Sequence, residues 1–230
     1  VLAGVNGQAS SRQLMEHNLL GTINLLEYCR ARKAGLILLS TSRVYSAKAL
    51  AALPVTEKDD QYGLKPNHLG TGISKQGIGE EFPTTPPISL YGASKLASEV
   101  LILEYAEAFG FPVWINRCGV LAGAGQFGKV DQGIFSYWIH SFREKRPLKY
   151  VGFGGSGLQV RDALHPRDLA PLLLHQMNEP DRNAPPILNL GGGPENATSL
   201  RKLSAWCEER FGPNEVSTTS RERPYDAPWI

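Results

Sequence analysis

The sequence predicts an α/β protein built on a parallel sheet with helices on both faces. Three observations carry this. Segments with helical apolar spacing alternate with short apolar runs along the chain. One run, Leu36-Ile37-Leu38-Leu39, is apolar without alternation, as a strand covered on both faces requires. It runs into Ser40-Thr41-Ser42, which puts hydroxyls at the carboxyl end of a strand, where open α/β sheets hold ligands.

The elements follow in order. Ser10 or Ser11 offers an N-cap, and Leu14, Leu19, Ile23, Leu26 and Cys29 mark a helix from about Arg12 to Ala34, stopped by Gly35. The strand at Leu36 comes next. Lys48 to Ser89, rich in Gly, Pro and Thr, reads as one long irregular loop, and loops of that length usually serve function. A helix spans about Tyr91 to Phe109, with Leu96, Val100, Leu103 and Ala106 on its apolar face and Gly110 as its stop. A strand starts at Val113 and ends near Cys118-Gly119. Beyond Gly123 we expect a helix over Ile134–Arg143, strands over Leu148–Phe153 and Val160–His165, and a helix opened by Pro166 and running to Met177. A strand over Ile187–Leu190 and a helix capped by Thr198 or Ser199 and ending at Phe211 complete the set.

Composition narrows the function. The 230 residues carry a net charge of +2 with no block of one sign, which argues against a dedicated nucleic-acid binder. Cys29, Cys118 and Cys207 show neither disulfide nor metal spacing, so we expect reduced thiols, no metal and a cytoplasmic setting. No apolar run is long enough for a membrane span, so no membrane partner is expected. The chain opens on Val1-Leu2-Ala3-Gly4 and closes on Trp229-Ile230, so we expect a fragment.

Pro87 to Glu99 holds the main chemical signal. Tyr91 and Lys95, four apart, share one helix face. An ammonium beside a phenol favours phenolate, which would lower the tyrosine pKa from about 10 and let it exchange protons with a hydroxyl or carbonyl. Ser40-Thr41-Ser42-Arg43-Val44-Tyr45 lies about fifty residues upstream and supplies a strand-end hydroxyl. Hydroxyl, phenol and ammonium form a set suited to reversible hydride chemistry, whose hydride must come from a nicotinamide.

These segments resemble the extended short-chain dehydrogenase/reductases, the NAD-dependent epimerase/dehydratase family that acts on nucleotide sugars. Asn18 to Glu27 is similar to its fourth helix, Ser40 to Tyr45 to its strand-end hydroxyl segment, Tyr91-Gly92-Ala93-Ser94-Lys95 to its catalytic helix, and Gln159 to His165 to its nucleotide-phosphate segment. The fold so implied is a Rossmann-like doubly wound parallel sheet lacking its first strands, with a small mixed C-terminal substrate lobe. Residues 1–122 would be a partial dinucleotide-binding domain, and 123–230 mainly the substrate lobe with segments returning to the main domain. Gly123-Ala124-Gly125-Gln126-Phe127 with Val130-Asp131-Gln132-Gly133 most resembles the CDP-paratose 2-epimerase type. The resemblance implies epimerisation by transient NAD-dependent oxidation and reduction of a sugar, on a CDP-linked substrate, in a possible homo-oligomer. Thr41, Tyr91 and Lys95 would be catalytic. Asn18, Ser40, Tyr91, Lys95 and Cys118 would lie at the cofactor, and Ser42, Gln126, Gln132, Arg161 and His165 on the nucleotide-sugar side.

Departures qualify the match. Val120 replaces a sugar-contacting Asn of many 4-epimerases, Ser46 replaces a Gly, and Ser42-Arg43 stands where dehydratases carry Asp-Glu. The glycine-rich dinucleotide fingerprint is not in this chain, so the fragment alone is expected to be inactive and to hold NAD weakly. Gly152 to Gly157 lacks the long helix such a loop needs. Other 4-epimerase or dehydratase activity, or a non-catalytic binding domain, stays open. So do several single residues: Arg117 as an ion-pair partner, Asp162 as a strand anchor, Tyr137 and Trp138 as core or lid packing, Asn189 as turn chemistry, Asp131 as helix cap or sugar ligand, and Cys118 as a buried apolar residue.

Overall fold

The computed structural model describes residues 10–65, 70–129, 132–178 and 185–230. Asp131 lies outside the described residues. Ser10 opens the first helical run with a capping box: its hydroxyl accepts from the Gln13 N–H, and the Gln13 side-chain Oε1 accepts from the Ser10 N–H. Helix α1 (Ser11–Met15) passes through a π turn (Glu16–Leu20) into α2 (Gly21–Arg32). The stop is Lys33, left-handed at φ 53°, and not Gly35. Strand β1 (Leu36–Thr41) follows, then a 3-10 turn (Ser42–Val44) and α3 (Ala47–Ala51), which Ser46 caps through its hydroxyl.

The stretch expected to be an irregular loop holds further structure. Hairpin β2 (Val55–Lys58) and β3 (Gln61–Leu64) turns on Asp59-Asp60, both at positive φ, the backbone of a two-residue primed turn. A second small hairpin pairs β4 (Ile73–Ser74) with β5 (Gly77–Ile78). These pieces bury Val44, Tyr45, Leu50, Leu53 and Phe82 in their own cluster. Alternation is short and Gly-rich there, so propensity alone left it without elements.

Helix α4 (Ser89–Phe109) ends at left-handed Gly110 and leads into β6 (Val113–Cys118) and the short β7 (Val120–Leu121). Helix α5 (Ile134–Arg143) precedes β8 (Leu148–Tyr150). This strand stops short of Phe153, because Gly152 and Phe153 take positive φ and turn the chain into a 3-10 segment. Then come β9 (Val160–Leu164), α6 (Pro166–Asn178), β10 (Ile187–Leu190), β11 (Ala197–Ser199), α7 (Leu200–Phe211) capped by Ser199, and β12 (Val216–Thr218).

The main sheet is parallel, in the order β1-β6-β10. Period-two alternation on β6 assigns its faces. Ile115 and Arg117 face α4, with Leu26, Cys29, Ile102 and Phe111 packed around Ile115. Asn116 and Cys118 face α6, where the Asn116 and Gln176 amides exchange two hydrogen bonds (2.8 and 3.0 Å). Helices therefore cover both faces. A second sheet runs β11-β9-β7. Beside it, Trp138 stacks on Tyr150 at 5.5 Å, and both donate to the Ser204 hydroxyl, so Trp138 belongs to the core. No helix among the described residues is long and apolar enough to cross a membrane.

One buried ion pair joins these parts. Arg117 donates to Glu99 through Nε and Nη2, the latter at 2.7 Å, and the Ser40 hydroxyl donates to the same carboxylate. Arg117 Nη1 also reaches the Tyr45 hydroxyl and the Glu80 carbonyl. The structural role expected for Arg117 is the one it plays. Truncating one member strands the other charge in the core, so Glu99→Ala should cost about 3–5 kcal/mol in urea unfolding. Glu99→Met with Arg117→Met should recover most of that loss. Gly92 is a second tight point: a Cβ there would meet the Arg43 carbonyl oxygen at 2.3 Å. Gly92→Ala should destabilise by about 1–3 kcal/mol in the same assay.

Candidate active site

The parallel register brings three strand ends together, with Thr41 level with Cys118 and Cys118 with Leu190. Thr41 is the last residue of β1, and its hydroxyl accepts from the Arg43 N–H at 3.2 Å. Helix α4 begins beside it. Ser89 takes φ 68°, its hydroxyl accepts from the Gly92 N–H, and Gly92 rests on the Arg43 carbonyl. This approach brings the Tyr91 phenol near enough to the Thr41 side chain for Thr41 to act on its pKa. Lys95 follows one turn later, and its Nζ donates to the Leu39 carbonyl at 3.0 Å. The three residues chosen from the sequence meet at the carboxyl edge of the sheet.

The electrostatics differ from the expectation. Burial pushes the Tyr91 phenol above its ordinary value; the neighbouring Thr41 side chain and the Arg43 charge oppose that rise, and Cys118 adds to it. Lys95 lies one turn further along the helix, with its Nζ on the Leu39 carbonyl. Its ammonium is itself pulled down by burial, against the favourable charges of Glu99 and Cys118.

The expected cofactor residues divide. The Ser40 hydroxyl and the Asn18 amide nitrogen are committed inside the protein, to Glu99 and to the Ser94 hydroxyl. Cys118 is buried, its thiol aimed at the Asn116 carbonyl and pushed up to about 11 by burial. It behaves as a small core residue. Lys95 retains two N–H donors beyond the one on Leu39. Such donors at a strand edge suit the ribose hydroxyls of a nicotinamide nucleotide. Among the described residues no cluster of His, Cys, Asp or Glu could hold a metal ion.

On the expected substrate side, Arg161 is paired with Asp226 at 2.5 Å and donates to the Val160 carbonyl. It lies near Arg43, and the two share a small cleft with Ser42, Asp162 and Tyr225. Gln126 is engaged at both ends, donating to the Leu121 carbonyl and accepting from the Ser136 hydroxyl. Gln132 closes a backbone bridge with Lys129. His165 accepts the Arg167 N–H at Nδ1, with its Nε2 against Gly123. Gln126, Gln132 and His165 line neither the small cleft nor the larger cavity described next. Asp162 does anchor its strand: its carboxylate accepts the Gly192 N–H at 2.7 Å, and a Cβ on Gly119 or Gly191 would strike it.

A larger cavity of about 550 Å³ opens between the residue 55–80 hairpins and the strand ends. Ser42, Tyr45, Gln61, Glu80, Asp162 and Asn189 line it; Thr41, Tyr91 and Lys95 do not. Asn189 is not a turn residue. It accepts from the Tyr45 hydroxyl, donates to the Ile78 carbonyl, and its backbone N–H reaches the Glu80 carboxylate. Glu80, Tyr225 and Asp226 carried no sequence signal, since each acts through partners over thirty positions away in the chain. Arg43 had one, a lone charge directly after the strand-end hydroxyls.

Comparison with known proteins agrees with this fold. Residues 2–191 match the model of the NAD dependent epimerase/dehydratase family. The chain is 30% identical over 202 residues to CDP-paratose 2-epimerase of Salmonella typhi, covering 84% of this chain and 56% of that protein. It is 27% identical to UDP-glucuronate 4-epimerase of Thermodesulfobacterium geofontis, covering 86% and 50%. Among solved structures, UDP-N-acetylglucosamine 4-epimerase from Methanobrevibacter ruminantium superposes with a TM-score of 0.74 at 17% identity, over 100% of this chain and 64% of that one. The Thermus thermophilus UDP-glucose 4-epimerase complex with NAD gives 0.66 at 22%, over 94% and 60%. The chain spans about half the length of the curated relatives it matches. With its strand-end hydroxyl, tyrosine and lysine gathered at one edge of a parallel Rossmann-type sheet, the chain belongs to the NAD dependent epimerase/dehydratase family.

Proposed function

We propose that this chain carries the acid/base part of a nucleotide-sugar epimerase of the CDP-paratose 2-epimerase type. The gathering of Thr41 at the strand end, Tyr91 at the helix start and Lys95, whose Nζ bonds the Leu39 carbonyl of that strand, is the observation that supports it most. In this reading Thr41 holds the reacting sugar oxygen, and Tyr91 takes its proton and later returns it. Lys95 holds ribose hydroxyls with its remaining donors. NAD bound at this edge would supply a reversible hydride acceptor for the sugar, so there would be no net redox change. Residues 1–122 then serve the dinucleotide side. Residues 123–230 serve mainly the sugar nucleotide, with β10 returning to the main sheet. Arg161 would meet the diphosphate, sharing or releasing its Asp226 partner, while Ser42, Gln126, Gln132 and His165 lie further along the nucleotide sugar. Three buried free thiols suit a reducing cytoplasm.

A 4-epimerase is the second reading, favoured by the UDP-glucuronate 4-epimerase match over 86% of the chain. Both are tested together by incubating the full-length protein with NAD and a panel of CDP- and UDP-sugars, and reading the product stereocentre by NMR. Inversion at C2 of a CDP-sugar is the expected result. Inversion at C4 of a UDP-sugar would establish the second reading instead. Tyr91→Phe should keep its fold by circular dichroism and lose roughly a hundred- to ten-thousand-fold in turnover. Unchanged turnover would remove Tyr91 from the mechanism.

A further inference from the structure

We propose that the cavity between the residue 55–80 hairpins and the strand ends receives the sugar of the nucleotide sugar, and that Gln61 and Glu80 bind its hydroxyls and confine it to uncharged sugars. This rests on the proposed function, because it takes a nucleotide sugar as the substrate. The cavity's volume of about 550 Å³ lies within the range of about 300–1,000 Å³ that holds small organic ligands. Ser42, the residue after Thr41, lines both this cavity and the small cleft that contains Arg43 and Arg161. A nucleotide sugar with its diphosphate at Arg161 and its reacting oxygen at Thr41 has the cavity beside its sugar.

Most polar groups on the cavity wall already have partners. The Tyr45 hydroxyl lies between Arg117 and Asn189, and the Asn189 amide donates to the Ile78 carbonyl. Asp162 accepts the Gly192 N–H, and the Ser74 hydroxyl donates to the Gly77 carbonyl. Gln61 is different: its Oε1 is buried and has no hydrogen-bond partner among the described residues. An unmatched buried acceptor is costly, and a ligand hydroxyl donating to it would remove that cost. The torsion that carries the amide is broad, so a turn brings the oxygen to the cavity. The backbone beneath it is fixed, since Gln61 pairs with Lys58 across the hairpin and the next N–H, of Tyr62, donates to the Leu158 carbonyl at 2.9 Å. Glu80 is held too: its carboxylate accepts the Asn189 N–H at 2.6 Å and keeps acceptor capacity for a second donor. Two acceptors of this kind call for a donor-rich ligand, which a sugar is.

The same wall disfavours an anionic sugar. Glu80 and Asp162 both line it. Of the lining cations, Arg117 is matched by Glu99, and Lys75 is an exposed point charge on a flexible stem. A sugar carboxylate placed here meets like charge. Ile78, Trp229 and Ile230 supply apolar contact for the ring.

The test is titration calorimetry on the full-length protein with NAD present. The probes are CDP and UDP, each free, as the glucose conjugate and as the glucuronate conjugate, read on whichever nucleotide binds. Gln61→Leu should weaken the glucose conjugate about five- to tenfold and leave the free nucleotide unchanged. The wild-type protein should bind the glucuronate conjugate about tenfold more weakly than the glucose conjugate, and Glu80→Gln, which still accepts the Asn189 N–H, should narrow that gap. Equal binding of the two conjugates, or a Gln61→Leu protein that binds the glucose conjugate as well as wild type or loses free nucleotide equally, would overturn the proposal. If Gln61→Leu does not fold, Gln61→Met is read by the same criteria. Binding is read without turnover, so a missing epimerised product counts against the epimerase reading alone, whereas absence of any nucleotide binding overturns both.

Discussion

The Glu99–Arg117 ion pair is the contact on which the rest of the arrangement depends. Glu99 comes from α4 and Arg117 from β6, and both are almost entirely withdrawn from water. Two charges in such a place are tolerable only when each lone pair and donor is matched. Matching them recruits Ser40 from β1, Tyr45 from the turn that follows, and the Glu80 carbonyl from the hairpin segment. Tyr45 passes the connection on to Asn189 of β10. One electrostatic requirement thereby sets the position of α4 against all three strands of the main sheet. It also pins the hairpins to the strand ends, where they wall the large cavity.

That placement carries the site. Tyr91 lies two turns before Glu99 on the same helix, so fixing Glu99 against β6 also fixes the height of Tyr91 along β1. The helix start is then pressed onto the β1 exit by the absence of a side chain at Gly92. A hydroxyl at the last residue of a strand and a phenol at the first turn of a helix meet because both elements end at the same sheet edge. Catalytic groups on two rigid elements hold their geometry better than groups on loops. The C-terminal segment adds to this: Tyr225 and Asp226 tie Arg43 and Arg161 to a part of the chain far away in sequence.

Much of the fold was legible because it follows from local patterns. The helix over Ile134–Arg143 and the strand over Ile187–Leu190 agree residue for residue, since each is a compact apolar run with clear punctuation. The π turn at Glu16–Leu20 and the Lys33 stop were not legible. Helical periodicity averages over a π turn, and a left-handed lysine has no compositional mark. The 48–89 segment was misread because its strands are two to four residues long and owe their existence to packing on Tyr45 and Phe82. In the site, spacing pointed to Tyr91 and Lys95 and the family resemblance to Thr41, but the internal commitments of Asn18, Ser40 and Gln126 could not be read from residue type.

The sequence by itself determined the fold class, the strand-end hydroxyls, the tyrosine–lysine spacing and the family, because each is written in neighbouring residues or in a motif. Only the tertiary structure decided which polar residues are spent in the core and which distant segment holds Arg43. Those outcomes depend on burial and on through-space distance between charges. Lys95 is four residues from Tyr91 in the chain, and only the fold shows that its ammonium bonds the Leu39 carbonyl.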